Sequence, residues 1–138
     1  MQFEEFSGQV QNLARLPSQG ETMRAVAAVL ETLGERLHGN QAETLAAQLP
    51  AAIGAYLRLA KRKEDYDLDE FFRRVAEREG AGVDLPGAVH HARVVIHVLQ
   101  QAVSPGEIRD VLAQLPENWT ALFEAGPEGE FVARDEWR

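Results

Sequence analysis

The sequence predicts an all-α fold: a helical bundle of about eight helices made of two similar four-helix halves related by pseudo-two-fold symmetry. Three observations predict it. The tetrapeptide Ala47-Gln48-Leu49-Pro50 returns as Ala113-Gln114-Leu115-Pro116, 66 positions later, and a long-period repeat of this kind marks a duplicated structural unit. Apolar residues recur at spacings of three and four with no sustained alternation. Good N-cap residues stand at matching places in both halves, Ser18 against Asp84. The layout is one helical domain, 1–138, with a first repeat at about 3–59, a linker at 60–67, a second repeat at about 68–125 and a tail at 126–138.

From Phe3 to Ala14 the positions Phe3, Phe6, Val10 and Leu13 describe a short amphipathic helix, which Leu16-Pro17 ends. Ser18-Gln19-Gly20-Glu21 reads as a capping box, the Ser hydroxyl accepting from the backbone at Glu21 while the carboxylate answers the cap N–H. It opens a longer helix with Met23, Val26, Val29, Leu30, Leu33 and Leu37 on one face, ending near His38-Gly39. Gly34 lies inside that helix at a cost of about 1 kcal/mol relative to Ala, so it predicts close packing against another backbone or a weak point. Asn40 is placed to cap a third helix holding Ala42, Leu45, Ala46 and Leu49. Pro50 disfavours helical geometry at Leu49 and suits the first turn of a fourth helix, with Ile53, Tyr56 and Leu57.

The cycle then restarts. Leu68, Phe71, Phe72 and Val75 match the first helix at an offset of 65, and one inserted residue brings Asp84 onto Ser18. Val89, Ala92, Val95, Ile96, Leu99 and Val103 repeat the apolar face of the long helix. Ser104-Pro105-Gly106-Glu107 is a second capping box with Pro at its favoured first position, opening a helix with Ile108, Val111, Leu112 and Leu115. After Pro116 come Trp119, Leu122 and Phe123, at the positions of Ile53, Tyr56 and Leu57. Gly126-Pro127-Glu128-Gly129 stops the last helix, and the tail, with Phe131, Val132 and Trp137 among acids, is expected to fold back on the core because its aromatic rings are costly to leave in water.

Composition bounds the function. The chain has no Cys, which excludes disulfides and thiolate chemistry and agrees with a reducing cytoplasm. Its acidic start and the lack of a following apolar run predict no signal peptide, and no apolar run is long enough for a membrane helix. Net charge is −8, with 7 basic and 8 acidic residues in 1–65 against 7 and 14 in 66–138. Such a balance repels phosphate backbones and argues against nucleic acid as a partner.

No assembled chemistry is visible, so neither catalytic nor metal-ligating residues are assigned, and no cofactor is expected. His90 and His97 are two turns apart, about 10 Å along the axis, too far to share one ion; His91 reads as a hydrogen-bonded, partly buried side chain. Glu35 and His38 have the Glu-x-x-His spacing of carboxylate-bridged metal bundles, but the equivalent positions in the second half are Gln101 and Ser104. Lys61-Arg62-Lys63 and the Arg73, Arg74, Arg78 group are flanked by acids and read as ion-paired helix faces. Gln48 and Gln114 are placed to hydrogen-bond backbone groups freed at the Leu-Pro breaks, or to meet a ligand if the two breaks face each other.

Asp69-Glu70-Phe71-Phe72-Arg73-Arg74-Val75-Ala76, His91-Ala92-Arg93-Val94-Val95, Ser104-Pro105-Gly106-Glu107 and Ala113-Gln114-Leu115-Pro116 with Leu122-Phe123 resemble the bacterial domain of unknown function 2267 family. Glu5-Phe6, Ala28-Val29-Leu30-Glu31-Thr32-Leu33, Glu35-Arg36-Leu37 and Ala47-Gln48-Leu49-Pro50 carry the same pattern in the first half. The resemblance covers residue 3 to about 125; His38-Gly39-Asn40 and the tail depart from it. It implies a small helical bacterial protein and brings no activity or functional residue with it.

The functional expectation is a non-enzymatic, cytoplasmic protein-interaction or self-association module, with a protein partner or a homodimer, no nucleic acid and no membrane. The alternative is a small-molecule sensor or carrier, its ligand unknown, with a pocket between the halves; a metal-dependent enzyme stands third. The residues expected to meet a ligand or a partner are Gln48, Gln114, Tyr56, Trp119, Phe131 and Trp137.

Overall fold

A computed structural model describes residues 1–128. They form eight helices: α1 (Phe3–Ala14), α2 (Gln19–Arg36), α3 (Gln41–Ala47), α4 (Ala51–Arg58), α5 (Leu68–Glu79), α6 (Leu85–Ala102), α7 (Pro105–Ala113) and α8 (Asn118–Glu124). No strand occurs among the described residues, so the fold is all-α. The expected folding back of the tail, with Phe131 and Trp137, lies outside them.

Side-chain caps set four of the eight helix starts. Ser18 Oγ accepts from Glu21 N at 3.1 Å, Asp67 from Glu70 N at 2.8 Å, Asp84 from Gly87 N at 2.9 Å and Ser104 from Glu107 N at 3.2 Å, each relieving one of the unpaired N–H groups of a first turn. Asn40 departs from expectation. It occupies the N-cap of α3 without a side-chain cap bond, because its backbone is turned to φ −92°, ψ 9°, away from the extended geometry that lets a cap side chain reach forward.

The two Leu-Pro breaks are built alike. Gln48 N and Leu49 N bond back to Leu45 O and Ala46 O, and Gln114 N and Leu115 N bond back to Val111 O and Leu112 O, tightening the last turn of α3 and of α7. Pro50 O then accepts from Ile53 N at 2.9 Å and Pro116 O from Trp119 N at 3.0 Å, starting the next helix in a new direction.

The 18-residue helices α2 and α6 form the centre. They pack on each other; α2 also meets α1, α4 and α5, and α6 meets α1, α5 and α8. Thus α1 lies on α6 while α5 lies on α2, and α3 meets α7. Val26, Val29, Leu30, Leu33 and Leu37 are buried against the same core as Val94, Val95, Ile96, Val98 and Leu99. Trp119 is fully buried, 5.0 Å from Phe71 and 6.4 Å from Tyr66 between ring centroids.

Gly34 is a point of close approach. A Cβ there would stand 2.4 Å from Leu57 O, and at Gly54 one would stand 2.6 Å from Ala46 O. The absent side chains let α4 sit against α2 and α3, which answers why a poor helix former interrupts α2. Gly34→Ala is therefore expected to lower stability by about 1–3 kcal/mol in urea unfolding, as overpacking does. Gly8→Ala, in α1 with nothing within 4 Å of its Cβ, should raise stability by about 0.5–1 kcal/mol through helix propensity. Equal effects at both sites would contradict the close-approach explanation.

Candidate functional site

The side chains flagged by the repeat converge where α3 meets α7. Gln48 Oε1 accepts from Ser104 N at 2.8 Å, and Gln114 Oε1 accepts from His38 N at 2.8 Å while Gln114 Nε2 donates to His38 O at 3.2 Å. Gln48 thus satisfies the backbone at the α6/α7 joint, and Gln114 that at the α2/α3 joint. Neither serves its own Leu-Pro break, where the backbone groups are already paired along the turn. His38 and Ser104 stand 66 positions apart, as Gln48 and Gln114 do.

Glu107 lies at the centre of this joint, buried at 7% exposure. Its carboxyl oxygens accept from Gln41 Nε2 at 2.6 Å, Thr44 Oγ1 at 2.8 Å and Gln48 Nε2 at 3.4 Å, all neutral donors contributed by α3 or its C-cap. The capping box predicted at Ser104 is therefore only half made. Ser104 Oγ caps Glu107 N, but the Glu107 side chain turns to α3, and Gln48 takes the Ser104 N–H in its place. Glu107 as a link between helices, with Gln41 and Thr44, escaped the sequence reading. Gln41 and Glu107 nevertheless share the offset of 66 that relates the tetrapeptides, a signal that points to this joint.

A second polar cluster clamps α5 to α2. Arg78 Nη2 meets Glu35 Oε2 at 2.6 Å, and Arg78 Nη1 donates to Glu35 Oε1 at 2.8 Å and to Thr32 Oγ1 at 2.7 Å. Arg74 reaches Glu64 at 2.8 Å, Glu70 at 2.8 Å and Glu35 at 3.4 Å, and its guanidinium lies 4.3 Å from the Tyr66 ring centroid. The ion pairing expected for these arginines is present, but Arg74 and Arg78 tie separate elements together as well as pairing along their own helix. Their charges hold the Glu35 carboxyl below its usual range, the Arg78 hydrogen bond contributing most. Burial, and then the Glu35 charge, raise the Tyr66 hydroxyl well above its ordinary range, and that hydroxyl donates to Thr32 O.

The remaining candidates are also placed. Glu35 is taken by Arg78 and Arg74, whereas His38 Nε2 bonds Asp65 Oδ1 at 2.6 Å, so the Glu-x-x-His pair faces two different partners. His38 and then Arg36 keep the Asp65 carboxyl below its ordinary range. His91 is buried against Glu79, with Nδ1 2.8 Å from Oε1, and His97 pairs with Gln101 at 2.9 Å. No group of three or more His, Cys, Asp or Glu suited to a metal ion occurs among the described residues.

Open cavities are lined by described residues. One of about 360 Å³ lies between α1 and α6 beside Leu13, Arg15, His90, Arg93, Pro127 and Glu128. Another of about 250 Å³ lies over the Arg74 and Arg78 cluster, and a third, about 510 Å³, borders α1 at Gly8, Gln11, Asn12, Arg15 and Leu16. None of the three is lined by Gln48, Gln114, Tyr56 or Trp119. The two amides are engaged at the α3/α7 joint, Trp119 is inside the core and Tyr56 is half-buried on α4.

A family model described as Uncharacterized conserved protein (DUF2267) matches residues 3–122, almost all of the helical region. The chain belongs to that family. No curated protein matches it. The DUF2267 match runs through both Ala-Gln-Leu-Pro segments, the α3/α7 joint and the α2/α5 clamp.

The Glu35 clamp gives a pH prediction. A carboxyl whose folded-state value lies below its ordinary 4.5 stabilises the fold fully above that ordinary value and ceases to do so as pH falls through the lower, folded value. Glu35→Gln should therefore cost about 1–3 kcal/mol at neutral pH, and the difference from wild type should shrink below pH 4.5. Urea midpoints measured across this range test it, and a pH-independent difference would contradict it.

Proposed function

We propose that the chain is a non-enzymatic helical module that works by associating with a protein partner or with a second copy of itself. The observation that carries this reading is the state of its buried polar side chains. Ser7, Thr22 and Thr32 bond backbone carbonyls of their own helices. Arg36 donates to Tyr66 O, Arg93 to carbonyls at 125–128, Glu79 pairs with His91, and Glu107 is held by α3. Reaction centres keep polar groups poised for a substrate; here the buried Ser, Thr, Arg, Glu and His side chains among the described residues already hold partners within the chain, and the two buried polar atoms that do not, Trp119 Nε1 and Asn118 Oδ1, belong to neutral groups with no nucleophilic or acid–base character.

In this reading the repeats at 3–59 and 68–125 form one domain with a pseudo-two-fold axis passing between α2 and α6 and between α3 and α7. Its support is the crossed packing of α1 on α6 and α5 on α2, together with the paired contacts Gln48–Ser104 and Gln114–His38. Two like surfaces meeting about a dyad inside one chain resemble the contact of an isologous dimer, which favours self-association. The interface assignment remains with half-buried Tyr56 and with Phe131 and Trp137. The acid excess argues against nucleic acid. No described helix is long and apolar enough to cross a membrane, and a cytoplasmic setting belongs to the same proposal.

Native mass spectrometry of gently purified full-length protein tests it. A homodimer, or a one-to-one complex with another protein, is expected at tens of micromolar, and Phe131→Ala with Trp137→Ala should weaken it. A monomer that carries a stoichiometric metal or metabolite would contradict it.

A further inference from the structure

The cavity between α1 and α6 gathers cationic side chains on an otherwise acidic molecule. Arg58, Arg73, Arg74 and Arg78 each meet carboxylates at the surface. At this cavity two guanidinium groups, Arg15 and Arg93, and the His90 imidazole share a wall with one carboxylate among the described residues, that of Glu128. Leu13 and Pro127 supply apolar surface beside them. Arg93 is buried at 6% exposure and is anchored by donating to Gly126 O at 2.9 Å, Glu128 O at 2.7 Å and Ala125 O at 3.4 Å. Its charge is thereby fixed in place at the cavity wall.

Arg15 comes from the other side. It ends α1 in the left-handed conformation, at φ 56°, an uncommon geometry for a residue with a side chain. It is exposed and forms no ion pair among the described residues, so its guanidinium donors face solvent at the cavity mouth. His90 is half-buried between the two arginines. Burial lowers its pKa most, followed by the charges of His91, Arg93 and Arg15, while Glu128 alone among these neighbours raises it. Among these described neighbours the positive charges outnumber the negative one.

We propose that this cleft binds a small multivalent oxyanion, with Arg15 and His90 as direct donors and Arg93 as the fixed charge behind them. Its volume of about 360 Å³ is at the small end of ligand pockets, which suits a compact phosphate or polycarboxylate. Charge-assisted hydrogen bonds from a guanidinium fork match both kinds of oxyanion.

The test titrates the full chain with sodium pyrophosphate and, separately, with sodium citrate at constant ionic strength, read by calorimetry and by the His90 ring resonances. Saturable one-to-one binding of at least one probe with a Kd below ~1 mM is expected, weakened about tenfold in Arg15→Gln and again in His90→Gln, as loss of one charge-assisted contact predicts. Pyrophosphate alone would indicate a phosphate ligand, and citrate alone a carboxylate. Affinity should rise as pH falls through the His90 titration, since the anion favours the charged ring, and that pH dependence should vanish in His90→Gln. Both substitutions alter side chains outside the buried core, and retained far-UV circular dichroism verifies the fold. Absence of saturable binding by either probe, or unchanged affinity and pH profile in both variants, would overturn the proposal.

Discussion

A buried carboxyl group cannot be left without donors, and at Glu107 the donors come from another part of the chain. Removing such a group from water costs several kcal/mol unless hydrogen bonds replace the lost solvent. Glu107 recovers them from Gln41, Thr44 and Gln48, so α3 and its C-cap must lie against the start of α7. Once that joint is set, Gln48 falls beside the Ser104 N–H and Gln114 beside the backbone of His38. Apolar burial pays no heed to direction; these bonds do, and they determine how two runs of short helices meet.

The same division of labour recurs elsewhere. The apolar faces of α2 and α6 supply the driving force for collapse, while directional groups choose one arrangement. Arg74 and Arg78 bind α5 to α2 through Glu35, Glu64 and Thr32. Arg36, at the carboxyl end of α2, holds Tyr66 O and packs 5.7 Å from the Trp119 ring centroid, linking the segment between α4 and α5 to the core. His91 and Glu79 fasten the end of α5 to α6. Two glycines allow what the polar groups require, because Gly34 and Gly54 let α4 approach neighbouring backbone more closely than any side chain would permit.

Much of this was legible in the residues. Helix number, the caps at Ser18, Asp84 and Ser104 and the Leu-Pro breaks follow from local rules, since periodicity and capping act over a few residues. Gly34 declared that something unusual happens there without saying which of two things. What could not be read was the destination of polar side chains that act over long separations. A capping box predicts that Glu107 returns to its own cap; its departure to α3 depends on the tertiary approach of a helix some 60 residues away. The assignment of Gln48, Gln114 and Trp119 to ligand or partner contact rests on the sequence without that information. Trp119 occupies the position of Ile53 and is buried as Ile53 is, and the amides complete backbone hydrogen bonding. The cluster of Arg15, His90 and Arg93 left no local signature, because its members come from α1 and α6.

The role of Glu107 as the fastener between α3 and α7 is tested most directly by a double-mutant cycle. Glu107→Ala, Gln41→Ala and the double variant would be compared by urea unfolding. A coupling energy of about 1–3 kcal/mol between the two positions is expected for side chains that satisfy one another in a partly buried joint. Additive losses, equal to within ~0.5 kcal/mol of the sum of the single effects, would contradict it.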